Sequence, residues 1–148
     1  MKIANELLTL TREHHISLSL GNKCVNTAKS NNNNTEIKKL CTQVSKVFRK
    51  TFAEHFETEE LTIFTPLKGK SDALLKLCNQ LFDEHQQLYS LAESLHNHPE
   101  RLLNFGNLLK SHSRLEDREL FPKINLLSDN EKLNILKSSL SHKPIIKI

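Results

Sequence analysis

Four histidines and two glutamates stand where an amphipathic helical chain would ordinarily carry leucine. The apolar positions run Ile3, Leu7, Leu10, His14, Leu18 in a first segment and Ile37, Val44, Phe48, Phe52, His55, Glu59, Ile63 in a second. They continue as Leu74, Leu77, Leu81, His85, Leu88, Ala92, Leu95 and as Leu102, Phe105, Leu109, His112, Glu116, Leu120. Residues at such three- and four-residue steps share one helix face, and in a bundle that face points inward. His14, His55, Glu59, His85, His112 and Glu116 are therefore expected to be buried together. A lone inward histidine is commonly a core imidazole bonded to a backbone carbonyl. Six such polar groups in register on four segments are a different matter, because buried carboxylates cost several kcal/mol unless something neutralises them. A pair of metal ions does so.

Imidazole with carboxylate is a donor set suited to iron, manganese or zinc, and no thiolate pair accompanies it. His55 and Glu59 are four residues apart, as are His112 and Glu116, so each pair lies about one helical turn apart on one face. Each glutamate, placed centrally, can bridge two metals while the histidines divide between them. Two six-coordinate ions offer about twelve positions, and four histidines, two bridging carboxylates and one oxo or hydroxo bridge fill about ten. The remaining positions imply binding of a small diatomic or a peroxide.

The elements that must carry these side chains are helices. Only 3 Gly and 4 Pro, no Trp, and long stretches rich in Leu, Lys, Glu and Asn predict an all-helical protein. The first segment spans about Ile3 to Ala28 and gives way to a polar loop at Asn31 to Asn34. The second begins near Thr35, a candidate cap, and runs to Phe64, with Pro66 and Gly69 as stops. Ser71 and Asp72 open the third, which ends near His96. Asn97 to Glu100 form a turn with Pro99 at a helix start, and the fourth ends at Phe121 and Pro122 or just beyond. Ser128 and Glu131 have capping-box spacing for a last short helix. Short connections after the second and third segments favour an up-down-up-down antiparallel four-helix bundle with a short extra C-terminal helix. The expected organisation is one domain over residues 1–148, with the bundle at about 1–127 and the C-terminal helix and tail at 128–148.

The chain also repeats itself weakly. EHFETEELTIFTPL at Glu54 to Leu67 matches SHSRLEDRELFPKI at Ser111 to Ile124 in the order of His, Glu, Leu, Phe and Pro, and Glu13-His14-His15 is echoed by Glu84-His85. Two helix pairs related by a pseudo-twofold would supply one ligand set each to a shared dinuclear centre.

Net charge is +4, but the lysines and arginines are scattered among acids with no aromatic interleaving, which argues against nucleic-acid binding. No apolar run is long enough for a membrane span and the N-terminus has no signal-peptide pattern, so a cytoplasmic location is expected. Cys24, Cys41 and Cys78 form no C-x-x-C and suit small buried hydrophobes. The basic and apolar tail from His142 to Ile148 is open to three readings: a packing strap, a partner contact or a frayed end.

From His14 to about Leu127, with the HFETEE and HSRLEDRELFP blocks as its most specific parts, the chain resembles the hemerythrin-like, histidine-histidine-glutamate cation-binding domains. That resemblance implies two iron ions with an oxo or hydroxo bridge, manganese or zinc being alternatives, and ligands His14, His55, Glu59, His85, His112 and Glu116. His15 rivals His14, which the stripe through Leu7, Leu10 and Leu18 favours. Asp117 rivals Glu116, since the oxygen-carrying hemerythrins pair a histidine with an aspartate five residues on. The matching His-x-x-x-Glu in the second segment favours Glu116 and leaves Asp117 as a surface acid or a partner of a ligand. Tyr89 stands where those carriers have a further histidine, with three open roles: bonding a bound ligand, ligating iron, or packing at the rim.

The di-iron proteins that repair iron-sulfur clusters and respond to nitric oxide are similar too, through their two His-x-x-x-Glu pairs. Those proteins add a cysteine-bearing N-terminal segment, which is not expected for this chain, so a repair activity is only suggested by the likeness. The expected function is binding, sensing or reaction of O2, NO or H2O2 at a di-iron centre, more a ligand-binding domain than a dedicated enzyme. A redox or iron-donor enzyme of oxidative or nitrosative stress defence, with a redox partner, is the second reading. A metal-free structural or partner-binding bundle is the third. The oligomeric state is left open.

Overall fold

The computed structural model describes residues 4–30, 34–145 and 148. Ile3 of the first stripe, Asn31 to Asn33 of the polar tract, and Ile146 and Lys147 of the tail lie outside the described residues. Every regular element among those described is helical: α1 (Leu8–Lys29), α2 (Asn34–Glu59), α3 (Thr65–Lys68), α4 (Asp72–Ser94), α5 (Leu102–Leu115) and α6 (Asp129–Ser141). No helix among the described residues is long and apolar enough to cross a membrane.

Local chemistry accounts for most of the ends. Ser71 caps α4 by accepting from the Leu74 N–H, and Ser128 and Glu131 form the reciprocal capping box that starts α6. Pro99 opens a 3-10 turn at the entry to α5, where its missing N–H costs nothing. Three expectations need correction. Thr35 lies inside the first turn of α2, which begins at Asn34, rather than capping it. Pro66 does not stop the second segment: a π-helical turn at Glu60–Phe64 intervenes, and Pro66 falls in the first turn of α3, which Gly69 ends. Pro66 follows directly on this widened turn, in which the Thr65 N–H reaches back to the Glu60 carbonyl. The C-terminal helix is also no minor appendage. At 13 residues α6 is nearly as long as α5 with 14, so the described residues hold five substantial helices rather than four and a stub.

The bundle closes through α1 on α5, α2 on α4, and the α4–α5 and α1–α2 contacts. The α1–α5 approach is the tightest. A Cβ on Gly106 would come within 2.9 Å of the Gly21 carbonyl oxygen and of Cys24 Cβ, so only glycine lets these two helices meet. Three of the stripes seen in the sequence then split into two apolar halves; in the first, Leu18 is only partly buried and Leu20 and Cys24 enter the core beyond His14 in its place. Phe48, Phe52, Phe56, Leu88, Phe105 and Leu109 belong to one core cluster, and Leu10, Ile63, Leu74, Leu81, Leu120 and Phe121 to another. Between the two lies a polar layer. The free thiols of Cys24, Cys41 and Cys78 are buried, as small hydrophobes are, and burial pushes Cys24 up to about 12.

Candidate metal centre

That polar layer brings together all six residues singled out by type and spacing. His14, His55, His85 and His112 are each no more than 1% exposed, and Glu59 and Glu116 are fully buried. The two carboxylates lie at the centre and every histidine turns its Nε2 toward them. His14 Nε2 is 3.0 Å from Glu59 Oε2 and 3.1 Å from Glu116 Oε1, and His55 Nε2 is 3.2 Å from Glu59 Oε2. On the other side His85 Nε2 is 3.2 Å from Glu59 Oε1, and His112 Nε2 is 3.2 Å from Glu116 Oε1. Their donor atoms fall into two groups, His14, His55, Glu59, Glu116 and Glu59, His85, His112, Glu116, each within 4.8 Å. Both carboxylates belong to both groups. Each group offers imidazole and carboxylate donors close enough together to hold a metal ion.

The outward nitrogens are equally ordered. His14 Nδ1–H donates to Asp117 at 2.8 Å, His55 to Glu13 at 2.9 Å, His85 to Glu60 at 2.6 Å, and His112 to Glu84 at 2.8 Å. A carboxylate can only accept here, so Nδ1 carries a proton and Nε2 is the nitrogen left facing the central carboxylates, an N–H donor while the ring is charged and a lone pair once it is neutral. A carboxylate behind each ligating imidazole fixes ring and tautomer and raises basicity toward a metal. Aromatic rings complete the walls. Phe56 stacks on His85 at 3.8 Å, while Phe64 and Phe121 stack on His85 and His14 at 5.4 and 5.1 Å.

The internal repeat now has a structural meaning. His55, Glu59, Glu60 and Phe64 correspond to His112, Glu116, Asp117 and Phe121, and both glutamates stand at a switch into a π-helical turn. Glu60 holds His85 as Asp117 holds His14, and Glu13 holds His55 as Glu84 holds His112. The π turn, a widened turn that recurs at functional sites, sets the second acid of each Glu-Glu or Glu-Asp pair against a histidine of another helix.

Without a cation the imidazoles must neutralise the carboxylates themselves. Burial works against a charged His55, but Glu59 and Glu13 outweigh it and push the group up to about 9. Burial likewise opposes His112, which Glu116 and Glu84 push up to about 10. His14 is held well above its ordinary range against burial by Asp117, Glu116 and Glu59. Burial would raise Glu59, yet His55, His14 and His85 hold it well below the carboxylate range. Even so, Glu59 Oε1, both oxygens of Glu116, and Nε2 of His85 and His112 are buried without a hydrogen-bond partner. Orphaned donor atoms converging on one point are what a bound cation would satisfy.

The rivals separate cleanly. His15 is exposed while His14 enters the cluster. Glu116 is central, and the half-exposed Asp117 touches the centre only through His14. Tyr89 is buried and packs against Phe48 and Phe56 with the Arg49 guanidinium 4.1 Å over its ring. Sequence reasoning missed Glu13, Glu60 and Glu84 as partners of the histidines. A signal was available, because each of these acids directly adjoins a candidate ligand.

The family model described as the hemerythrin HHE cation binding domain matches residues 6–124. None of the curated proteins and none of the solved structures compared with the chain matches it.

Proposed function

The chain belongs to the hemerythrin HHE cation-binding domain family, and from that premise we propose that it holds two iron ions between α1, α2, α4 and α5. His14 and His55 would bind one and His85 and His112 the other, with Glu59 and Glu116 bridging; manganese or zinc would suit the same donors. The observation that carries this reading is the pair of four-residue donor groups that share both carboxylates. An alternating up-down-up-down course of the four ligand-bearing helices accords with the short connections at 69–71 and 95–98.

Iron bound here would supply Lewis-acid and redox chemistry with coordination positions left over, since two imidazoles and two shared carboxylates would hold each ion. A small diatomic or a peroxide fits those positions, and we take binding or sensing of O2, NO or H2O2 as the function. The protein's own part is to hold four neutral imidazoles by their Nδ1–H groups and to exclude bulk water with Phe56, Phe64 and Phe121. The duplicated His-x-x-x-Glu favours, as a second reading, a redox or iron-donor role in stress defence. Anaerobic reconstitution with ferrous iron, followed by exposure to air, NO or peroxide under an absorption spectrometer, tests the proposal. New charge-transfer bands at two irons per chain support ligand chemistry; bands that appear with none of the three oppose it. Catalytic consumption of peroxide well above that of free iron would favour the second reading.

A further inference from the structure

The four carboxylates behind the histidines are alike in contact but not in surroundings. Asp117, Glu60 and Glu84 have side chains 35%, 24% and 13% exposed, whereas that of Glu13 is 6% exposed. The difference comes from the C-terminal segment. Glu13 Oε1 accepts from His55 Nδ1 and also from His142 Nε2 at 2.8 Å, and its Oε2 accepts from the Ile145 N–H at 2.9 Å. His142 is itself fixed: its Nδ1 lies 2.9 Å from Thr58 Oγ1, which lies 2.8 Å from Ser138 Oγ. With Nε2–H committed to Glu13, Nδ1 accepts from the Thr58 hydroxyl, and Thr58 accepts from Ser138. The segment is pinned further by the Lys143 N–H on Glu54 and by Ile145, buried in the cluster of Phe48 and Phe52. Glu84, the pseudo-symmetric counterpart of Glu13, has besides His112 only the side chain of Gln80, at the surface of its own helix, among the described residues. His142 and Ile145 lie beyond the residues matched by the family model.

We propose that Ser138 to Ile145 form a positioning strap for one of the two metal positions. His142 and the Ile145 N–H hold Glu13, Glu13 holds His55 with its Nε2 toward Glu59, and the His14/His55 position thereby binds its cation more tightly than the His85/His112 position. An imidazole whose carboxylate is held by two further donors, one of them a buried backbone N–H, has little freedom to turn away, while Glu84 is held by one surface amide. Loss of a group that orients a ligand typically lowers metal affinity about 10- to 100-fold. The inference rests on the dinuclear reading above.

Its test is a titration of the metal-stripped full chain with cobalt(II), whose ligand-field absorption reports each position's geometry. The wild-type chain should take two equivalents of unequal affinity. His142→Ala should weaken the tighter equivalent about 10- to 100-fold and alter its spectrum, leaving the weaker one unchanged. His142→Gln, whose amide nitrogen replaces Nε2 as donor to Glu13, should restore it. His142→Asn reaches Thr58 but not Glu13 and should behave like His142→Ala, so it serves where the alanine variant is not folded by circular dichroism. Gln80→Ala should leave the tighter equivalent unaffected. A role confined to packing would lower the melting temperature with no change in either affinity, and that result overturns the strap, as does equal weakening of both equivalents. A wild-type chain that takes two cobalt ions while His142→Ala and His142→Asn bind them identically refutes the strap alone. A wild-type chain that takes none refutes the metal-centre reading and the strap with it.

Discussion

Removing every metal ion should make stability fall as pH rises above neutrality, and the size of the fall follows from the centre's geometry. In the metal-free protein Glu59 and Glu116 are neutralised by protons on the imidazoles around them. His55 rises from an ordinary 6.5 to about 9 and His112 to about 10, both against the opposing effect of burial. A group whose value is raised on folding stabilises the fold fully below its unfolded value and loses that contribution as pH passes through the folded value. The loss should therefore begin at about pH 6.5 and be nearly complete at about pH 10. At 1.36 kcal/mol per pH unit these rises correspond to about 3 kcal/mol for His55 and about 5 kcal/mol for His112. Both imidazoles act on the same two carboxylates, so the contributions overlap and a total of about 3–5 kcal/mol is expected. The carboxylates have the opposite sign, since Glu59 and Glu116 are lowered on folding, chiefly against burial and by their histidines. Their contribution is present above about pH 4.5 and is lost on acidification. Urea unfolding of chelator-stripped protein, followed by far-UV circular dichroism from acid to about pH 9.5, should give a maximum at about pH 5 to 6.5. Saturating zinc(II), a redox-inert cation, should abolish the alkaline decline, because it replaces the protons as the neutralising charge. Stability of the stripped protein that is level between pH 6.5 and 9.5, or that rises, would refute the reasoning.

Three substitutions test the scaffold. Gly106→Ala should destabilise by about 1–2 kcal/mol, because the added Cβ meets backbone and Cβ atoms of α1 and the overpacking exceeds the gain in helix propensity; an unchanged or raised urea midpoint would show that the helices can part freely. Phe105→Ala, at a fully buried position facing Phe48 at 5.0 Å, should cost about 3–5 kcal/mol in the same assay. Ser128→Ala removes one half of the capping box of α6 and should cost about 1 kcal/mol. Because α6 leads into the His142 contact, that loss should be read in metal-free protein, where a cost below a few tenths of a kcal/mol would mean the cap contributes little.

How much of this could be read from residues alone varied with the physics involved. Helical periodicity placed His14 rather than His15 inside because the stripe through Leu7 and Leu10 has only one continuation, and the exposure of His15 agrees. Glu116 was separable from Asp117 by analogy with His55 and Glu59, since a four-residue step keeps donor and carboxylate on one face. The π-helical turns were not legible: they depend on how Glu60 and Asp117 reach histidines on other helices, and periodicity assumes a regular helix. Their consequence for Pro66 was hidden for the same reason. Thr35 was misplaced as a cap because α2 already begins at Asn34, and only backbone geometry decides where the helix begins. The contact of His142 with Glu13, 129 residues apart, had no local signature at all. It arises from the way α6 returns the chain across α1 and α2, and the contacts of His142, Lys143 and Ile145 accord with the packing-strap reading for that part of the tail.

The most direct test of the central claim is the number of metal ions per folded chain, measured by elemental analysis after anaerobic reconstitution with ferrous iron and removal of excess. The shared carboxylates predict two per chain in the wild type and a loss of both in Glu59→Ala, which would remove one of the two proposed bridges. One ion per chain would mean that Glu59 and Glu116 do not bridge. None, with iron, manganese and zinc each tried, would mean that the buried histidines and glutamates neutralise one another and that no cation belongs between them.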